Sequence, residues 1–135
     1  MKVMLEIKAH DEMDYIVAGN DELNFDIKVE SPCPQDEITF DTPIENFVYF
    51  VHPSGEPMFK DPTVLQKYPQ CMRSCTLVEV GEPNYPNMFS FNSFTGEVTL
   101  STTQKSLHRA VIDMALTCTS LDNNYEETNL FSVNF

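Results

Sequence analysis

The chain has 135 residues, 41% of them hydrophobic, with 21 Asp and Glu against 8 Lys and Arg and a formal net charge of -13. That length holds one domain of ordinary size with some residues to spare, and the apolar content suffices for a packed core. So few cations can neither neutralise a phosphate backbone nor draw the chain to an anionic bilayer, which argues against nucleic acid and disfavours anionic membrane surfaces as partners. No stretch approaches the roughly 18–20 apolar residues of a membrane span.

Apolar residues recur at every second position. Val3, Leu5, Ile7 and Ala9 alternate with Met4, Glu6 and Lys8, and Phe25, Ile27 and Val29 alternate with Asp26, Lys28 and Glu30. Each run reads as a strand with one buried face. Between them lies a polar stretch carrying Asp11, Glu12, Asp14, Asp21 and Glu22, so residues 1–31 are predicted to form a hairpin with a long acidic loop. SPCPQDE comes next. Pro32 and Pro34 stand too close together for a central strand, and this sets a domain boundary.

Beyond the boundary, ITF and IENFVYFV give extended apolar segments on either side of Pro43. The following stretch carries Pro53, Pro57, Pro62 and Pro69 and reads as a long loop holding at most one edge strand. CTLVEV is a strand, GEPNYPN a turn, and MFSF with EVTL a hairpin centred on Gly96. STTQKSLHR is loop or a short helical turn. RAVIDMALTCTS is long enough for a helix, but Ala110, Ile112, Met114, Leu116 and Cys118 fall on one face at period two, which predicts a strand. SLDNNYEETN is a second acidic loop, with Asp122, Glu126 and Glu127, and LFSVNF closes the chain with Phe131, Val133 and Phe135 inward.

The first and last hairpins echo one another: an apolar strand, an acidic loop, then an aromatic-rich strand. Tandem repetition accounts for the echo if residues 1–31 close a preceding repeat and residues 33–135 form the next repeat complete, at the usual length of about 100 residues for a seven-stranded sandwich. The alternative is one enlarged sandwich that takes the first hairpin as two of its strands. The N-terminus has no apolar core long enough for a signal peptide, so the chain is expected to be a segment of a longer one.

At MFSFNSFTGEVTL the chain resembles the middle of cadherin-type repeats, where an aromatic strand leads through a Thr-Gly turn to an apolar strand. AVIDMALTCTSLDNNYEETNLFSVNF looks like the closing strand pair of such a repeat. The segment 38–135 is also similar to dystroglycan-type cadherin-like and immunoglobulin-like domains of large surface proteins. The resemblance implies an all-β, antiparallel Greek-key sandwich with an adhesive or scaffolding role at the cell surface. It departs from calcium-binding cadherin repeats in three places. TTQKSLH replaces an acidic Leu-Asp-Arg-Glu segment, the loop at Asp122 lacks Asp-x-Asp, and SPCPQDE lacks the acidic linker, so no metal ligands carry over.

The even cysteine count suits two disulfides in an oxidising compartment. Of the three possible pairings, the one containing Cys71–Cys75 is least attractive, because so small a loop constrains the unfolded chain least. A zinc site would draw on these cysteines and His108, but C-x3-C is looser than a zinc knuckle and no second knuckle follows. Four reduced thiols in a cytosolic domain are the remaining alternative. The immunoglobulin-like resemblance implies a Cys75–Cys118 bridge linking the two sheets, which leaves Cys33 to pair with Cys71.

His10, His52 and His108 lie in no catalytic motif, and no nucleophile elbow, phosphate loop or dinucleotide fingerprint is present. No Asn-x-Ser/Thr sequon occurs, so glycosylation adds nothing to the compartment assignment. The two acidic loops are the expected contact surfaces, since hairpin loops gather at the ends of a sandwich. They leave room for a weakly held calcium ion, and no other cofactor is implied. The sequence therefore points to a non-enzymatic extracellular structural or adhesion module whose partner is another protein or a neighbouring repeat. The alternative is a ligand-binding module, for carbohydrate or calcium, that uses the acidic end loops.

Overall fold

The computed structural model describes residues 29–81, 85 and 87–135. The predicted first hairpin, with Asp11, Glu12, Asp14, Asp21 and Glu22, lies outside them. Ser31–Phe135 forms one compact unit, distinct from Met1–Glu30. Its described residues hold nine strands and two 3-10 turns and no α-helix. The strands are β1 (Ile38–Thr42), β2 (Phe47–Val48), β3 (Met58–Lys60), β4 (Thr63–Gln66), β5 (Arg73–Glu79), β6 (Phe89–Phe91), β7 (Val98–Leu100), β8 (Val111–Ser120) and β9 (Glu126–Asn134).

One layer has the order β2-β9-β8-β5. Its pairs are antiparallel except β2 with β9, which run parallel. The second layer is made of two antiparallel pieces, β1-β4 and β3-β7-β6. These pieces join because β3 and β4 are successive halves of one strand, broken at Asp61 and Pro62. Proline supplies no ladder N–H, so pairing stops there and resumes with a different neighbour. Lettered in chain order, with β2 set aside as the continuation of the first strand, the layers read ABED and CFG, the two-sheet order of the immunoglobulin-type Greek-key sandwich. The stretch read from sequence as a loop with at most one edge strand thus contributes two strand segments.

The core lies between the layers and follows the period-two pattern. Ile112, Met114, Leu116 and Cys118 of β8, with Phe131 and Val133 of β9, face Ile38, Val98 and Leu100 from the other layer. The hairpin β6–β7 turns on Asn92, whose Oδ1 accepts the N–H groups of Phe94 and Thr95, and on Gly96 at φ +84°. A Cβ on Gly96 would approach Pro62, Val64 and Leu116 at 3.4–3.6 Å. The turn therefore needs glycine for its backbone conformation more than for space.

Between β1 and β2 the chain crosses from one layer to the other, and side-chain amides fasten the crossing. Asn129 Oδ1 accepts the Ile44 N–H at 2.6 Å while its Nδ2 donates to the Ile44 carbonyl at 3.1 Å. Asn46 Oδ1 accepts the Ser132 N–H at 2.8 Å. At the opposite side of the same sheet, the Cys75 N–H donates to the Ser93 carbonyl. Tyr49, buried just after β2, donates its hydroxyl to the Glu56 carbonyl at 2.8 Å and accepts the Thr102 N–H at 3.3 Å.

All four cysteines are paired, Cys33 with Cys71 and Cys75 with Cys118. The second bond differs from the bridge expected between the two sheets. Cys75 and Cys118 are direct cross-strand partners on β5 and β8, with Cα atoms 4.0 Å apart. Close opposition of this kind is the property of a non-hydrogen-bonded antiparallel pair. The bond therefore locks the register of one sheet and does not tie the two layers together. β9 also begins at Glu126, earlier than the predicted acidic loop allowed, because the hairpin closes through Asn124 at φ +58°; Asn tolerates that conformation.

The Cys75–Cys118 loop spans 43 residues, for which chain entropy gives about 4 kcal/mol. The double variant Cys75→Ala/Cys118→Ala is expected to lose roughly that stability in urea denaturation under non-reducing conditions. The intact mass of the wild type should rise by about four units on reduction, as two bonds take up hydrogen.

Candidate functional site

At the end of the sandwich where residues 31–37 approach it, the two layers meet around Asp36, which has no exposed surface. Gln66 Nε2 from the end of β4 donates to its carboxylate at 2.6 Å, Ser120 Oγ from the end of β8 at 2.8 Å, and the Tyr68 N–H at 3.0 Å. Burial pushes the Asp36 pKa up. The hydrogen bonds from Gln66, Ser120, Tyr68 and the Glu37 N–H outweigh it and leave the group below its ordinary 3.8. Asn123 Nδ2, from the β8–β9 turn, donates to the Asp36 carbonyl at 2.7 Å, and the Cys33–Cys71 bond fixes the same segment to the β4–β5 loop. A carboxylate whose lone pairs are taken by fixed donors serves as a structural tie.

Of the predicted contact acids, Asp122, Glu126 and Glu127 lie among the described residues, and these three do not converge on one point. Asp122 sits in the β8–β9 turn, with a carboxylate oxygen within 4.8 Å of the Cys33 and Cys71 sulfurs. Those sulfurs are joined to each other, so neither offers the thiolate a zinc site requires. Glu126 and Glu127 are consecutive on β9 and point to opposite faces. Glu126 accepts from Thr119 Oγ1 at 3.5 Å, whereas Glu127 lies opposite Cys118. His52 is bonded to Ser54 beside it, and His108 ends the turn Lys105–Leu107.

A second surface emerges from the register. On β5, β8 and β9, the residues that turn away from the core line up in rows: Ser74–Thr119–Glu126, Thr76–Thr117–Thr128, Val78–Ala115–Leu130 and, beyond the end of β5, Val80–Asp113–Ser132. The two middle rows carry no charge. The carboxylates at the margins are engaged, Asp113 with Ser132 Oγ at 2.6 Å and Glu126 with Thr119. Thr117 and Thr128 satisfy each other at 2.8 Å. The middle of this sheet therefore presents methyl groups and paired hydroxyls to solvent, within a chain of net charge -13.

Its relief is uneven. Leu130 is 69% exposed and Val78 54%, while Ala115 between them is 9% exposed. Alongside Leu130 an open hollow of about 350 Å³ is bounded by Asn46, Val80, Asp113 and Ser132. An uncharged, partly apolar centre with polar margins is the anatomy of a protein–protein contact. Of the residues in these rows only Glu126, at the margin, stood among the sequence candidates. The signal was the apolar residues at the outward phase of the alternation, Val78, Val80 and Leu130, which a solvated sheet face would fill with polar side chains.

The fold so defined is an immunoglobulin-type all-β sandwich with two disulfides, and among the described residues no helix is long and apolar enough to cross a membrane. No protein-family model matches the chain, and no curated protein matches it. Among solved structures it is similar to the crystal structure of Drosophila N-cadherin EC1-4, at 14% sequence identity and a TM-score of 0.48. The match covers 73% of this chain and 24% of that one, so the chain spans about a quarter of its length.

The Asp36 tie gives a prediction. Because its pKa is depressed in the folded state, its contribution is fully present above the unfolded value of about 3.9 and is lost as pH falls through the lower folded value. Asp36→Asn is expected to cost about 2–3 kcal/mol at pH 7, since an amide nitrogen then faces buried donors. It should also flatten the loss of stability that the wild type shows below about pH 4. Urea denaturation from neutral to acid pH reads both effects.

Proposed function

We propose that the chain is a non-enzymatic module of an extracellular protein, and that it makes adhesive or assembly-forming protein contacts through the outer face of β5, β8 and β9. The observation that carries this reading is the uncharged centre of that face, Thr76, Thr117, Thr128, Val78, Ala115 and Leu130, on a strongly acidic chain. Interfaces are depleted of charge at their centres and keep polar groups at the rim. Burying these rows desolvates no carboxylate, whereas burying an unpaired one would cost several kcal/mol.

The extracellular setting is supported by the use of every cysteine in a disulfide, a state that persists in oxidising compartments. The non-enzymatic reading is supported by Asp36, a buried carboxylate whose bonds hold neighbouring segments together. It is supported too by the divergence of Asp122, Glu126 and Glu127. Stiffness suits a module that transmits contact. One bond locks a sheet register and the other anchors the incoming chain.

Retention of chain-coated beads on cells of the organism that makes the chain tests the reading. Wild-type beads are expected to be retained, and Leu130→Arg, which sets a cation in the centre of the face, should lower retention by about tenfold. Leu130 is exposed, so the variant should keep the wild-type melting temperature within a few degrees. No retention of wild-type beads, or equal retention of both, overturns the reading.

A further inference from the structure

Acidic residues are spread along most of the chain, and one end of the sandwich is free of them. Three segments build that end: the stretch that carries β2 and leaves it, the connection from β7 through the turn Lys105–Leu107 into β8, and the close of β9. Residues 46–55, 98–112 and 128–135 hold no Asp or Glu, in a chain that has 21. Backbone bonds draw the three together. The Tyr49 N–H donates to the Asn134 carbonyl at 2.8 Å, the Arg109 N–H to the Phe135 carbonyl at 2.8 Å, and the Phe135 N–H to the Ala110 carbonyl at 3.0 Å.

The same end carries positive charge without a partner. Of the five Lys and Arg among the described residues, three are engaged. Lys67 is paired with Glu37, Arg73 donates to the Phe94 and Val64 carbonyls, and Lys60 lies over the Phe47 ring. Lys105 and Arg109, with His108 between them in the chain, are exposed and make no ion pair with the described residues. Lys105 and His108 line an open hollow of about 430 Å³, whose other walls are Tyr49, Phe50, Val51 and Phe135. Phe50 is 82% exposed, and the Tyr49 hydroxyl is already bonded to Glu56 and Thr102.

We infer that this hollow binds an acidic peptide segment, with one apolar side chain against Phe50 and Phe135 and flanking carboxylates toward Lys105 and Arg109. Charge complementarity selects the sign. An anion approaching here meets cations and no carboxylate on any of the three segments, whereas the rest of a chain of charge -13 repels it. The lining selects the class. None of the six lining residues has an amide or carboxylate side chain, so the hydroxyls of a sugar would lack partners, while an apolar side chain needs none. The volume falls at the lower end of the range for ligand pockets and suits one large side chain with its backbone. The hollow shares no residue with the β5–β8–β9 face.

Amide chemical-shift mapping on the isotope-labelled 135-residue chain is the test, with a short peptide in which one Phe is flanked on both sides by Glu as the probe. At about 20 mM NaCl the shifts at Phe50, Val51, Lys105 and His108 should saturate with a Kd of about 0.1–1 mM. Affinity should fall about tenfold by about 300 mM NaCl as the charges are screened. Lys105→Glu with Arg109→Glu should weaken binding more than about tenfold, and Phe50→Ser by a similar factor. All three positions are exposed, so these variants should keep the wild-type melting temperature within a few degrees. Leu130→Arg should bind as the wild type does. No shifts at these amides up to about 5 mM peptide overturns the inference, as does equal binding of a peptide with Ser in place of Phe or Lys in place of Glu. If glucuronic acid moves these amides and the peptide does not, the hollow takes an acidic sugar and the peptide assignment falls. Binding that survives in Leu130→Arg while bead retention is lost shows that the two surfaces act separately, so either reading can fail alone.

Discussion

A single carboxylate with no access to water closes one end of this sandwich. Asp36 receives donors from β4, from the β4–β5 loop and from β8, so it joins the two layers that the apolar core holds only by non-directional burial. The core determines that the layers stack. The Asp36 bonds determine where along their length they stack, because three donors converge on one short side chain. The Cys33–Cys71 bond and Asn123 act on the same segment, and each keeps Asp36 where its donors need it.

Strand positions were legible because burial imposes period two on a strand. In β8 the inward residues Ile112, Met114, Leu116 and Cys118 spell that period, and they outweigh a length that suits a helix. β3 and β4 were hidden because proline at 62 reads as loop in a one-dimensional pattern. In the fold it only hands the strand from one neighbour to another. The disulfide partners followed from family resemblance, but their placement did not. Parity puts Cys75 and Cys118 on the inward face of a sheet without saying whether the same sheet supplies both.

The candidate site was less legible than the fold. Acidic residues draw attention in a sequence because they are chemically conspicuous. Yet β9 turns Glu126 and Glu127 to opposite faces, and Asp122 lies in the turn beyond them. The neutral face is assembled from residues more than fifty positions apart in the chain, Val78 and Leu130 among them, and only the register brings them into one row. Valine and threonine in strands are unremarkable when read singly. Their meaning lies in which phase of the alternation they occupy.

The amides that fasten the first crossover have a consequence for how the molecule behaves in crowded company. β2 covers only the final residues of β9, and the remainder of that strand would otherwise offer a bare hydrogen-bonding margin to any extended peptide. Exposed margins of this kind seed runaway strand addition and fibril growth. Asn46 Oδ1 accepts the Ser132 N–H and Asn129 Nδ2 donates to the Leu130 carbonyl, so two asparagine side chains occupy two backbone groups of that strand. A strand adding along that margin would have to displace both asparagine side chains.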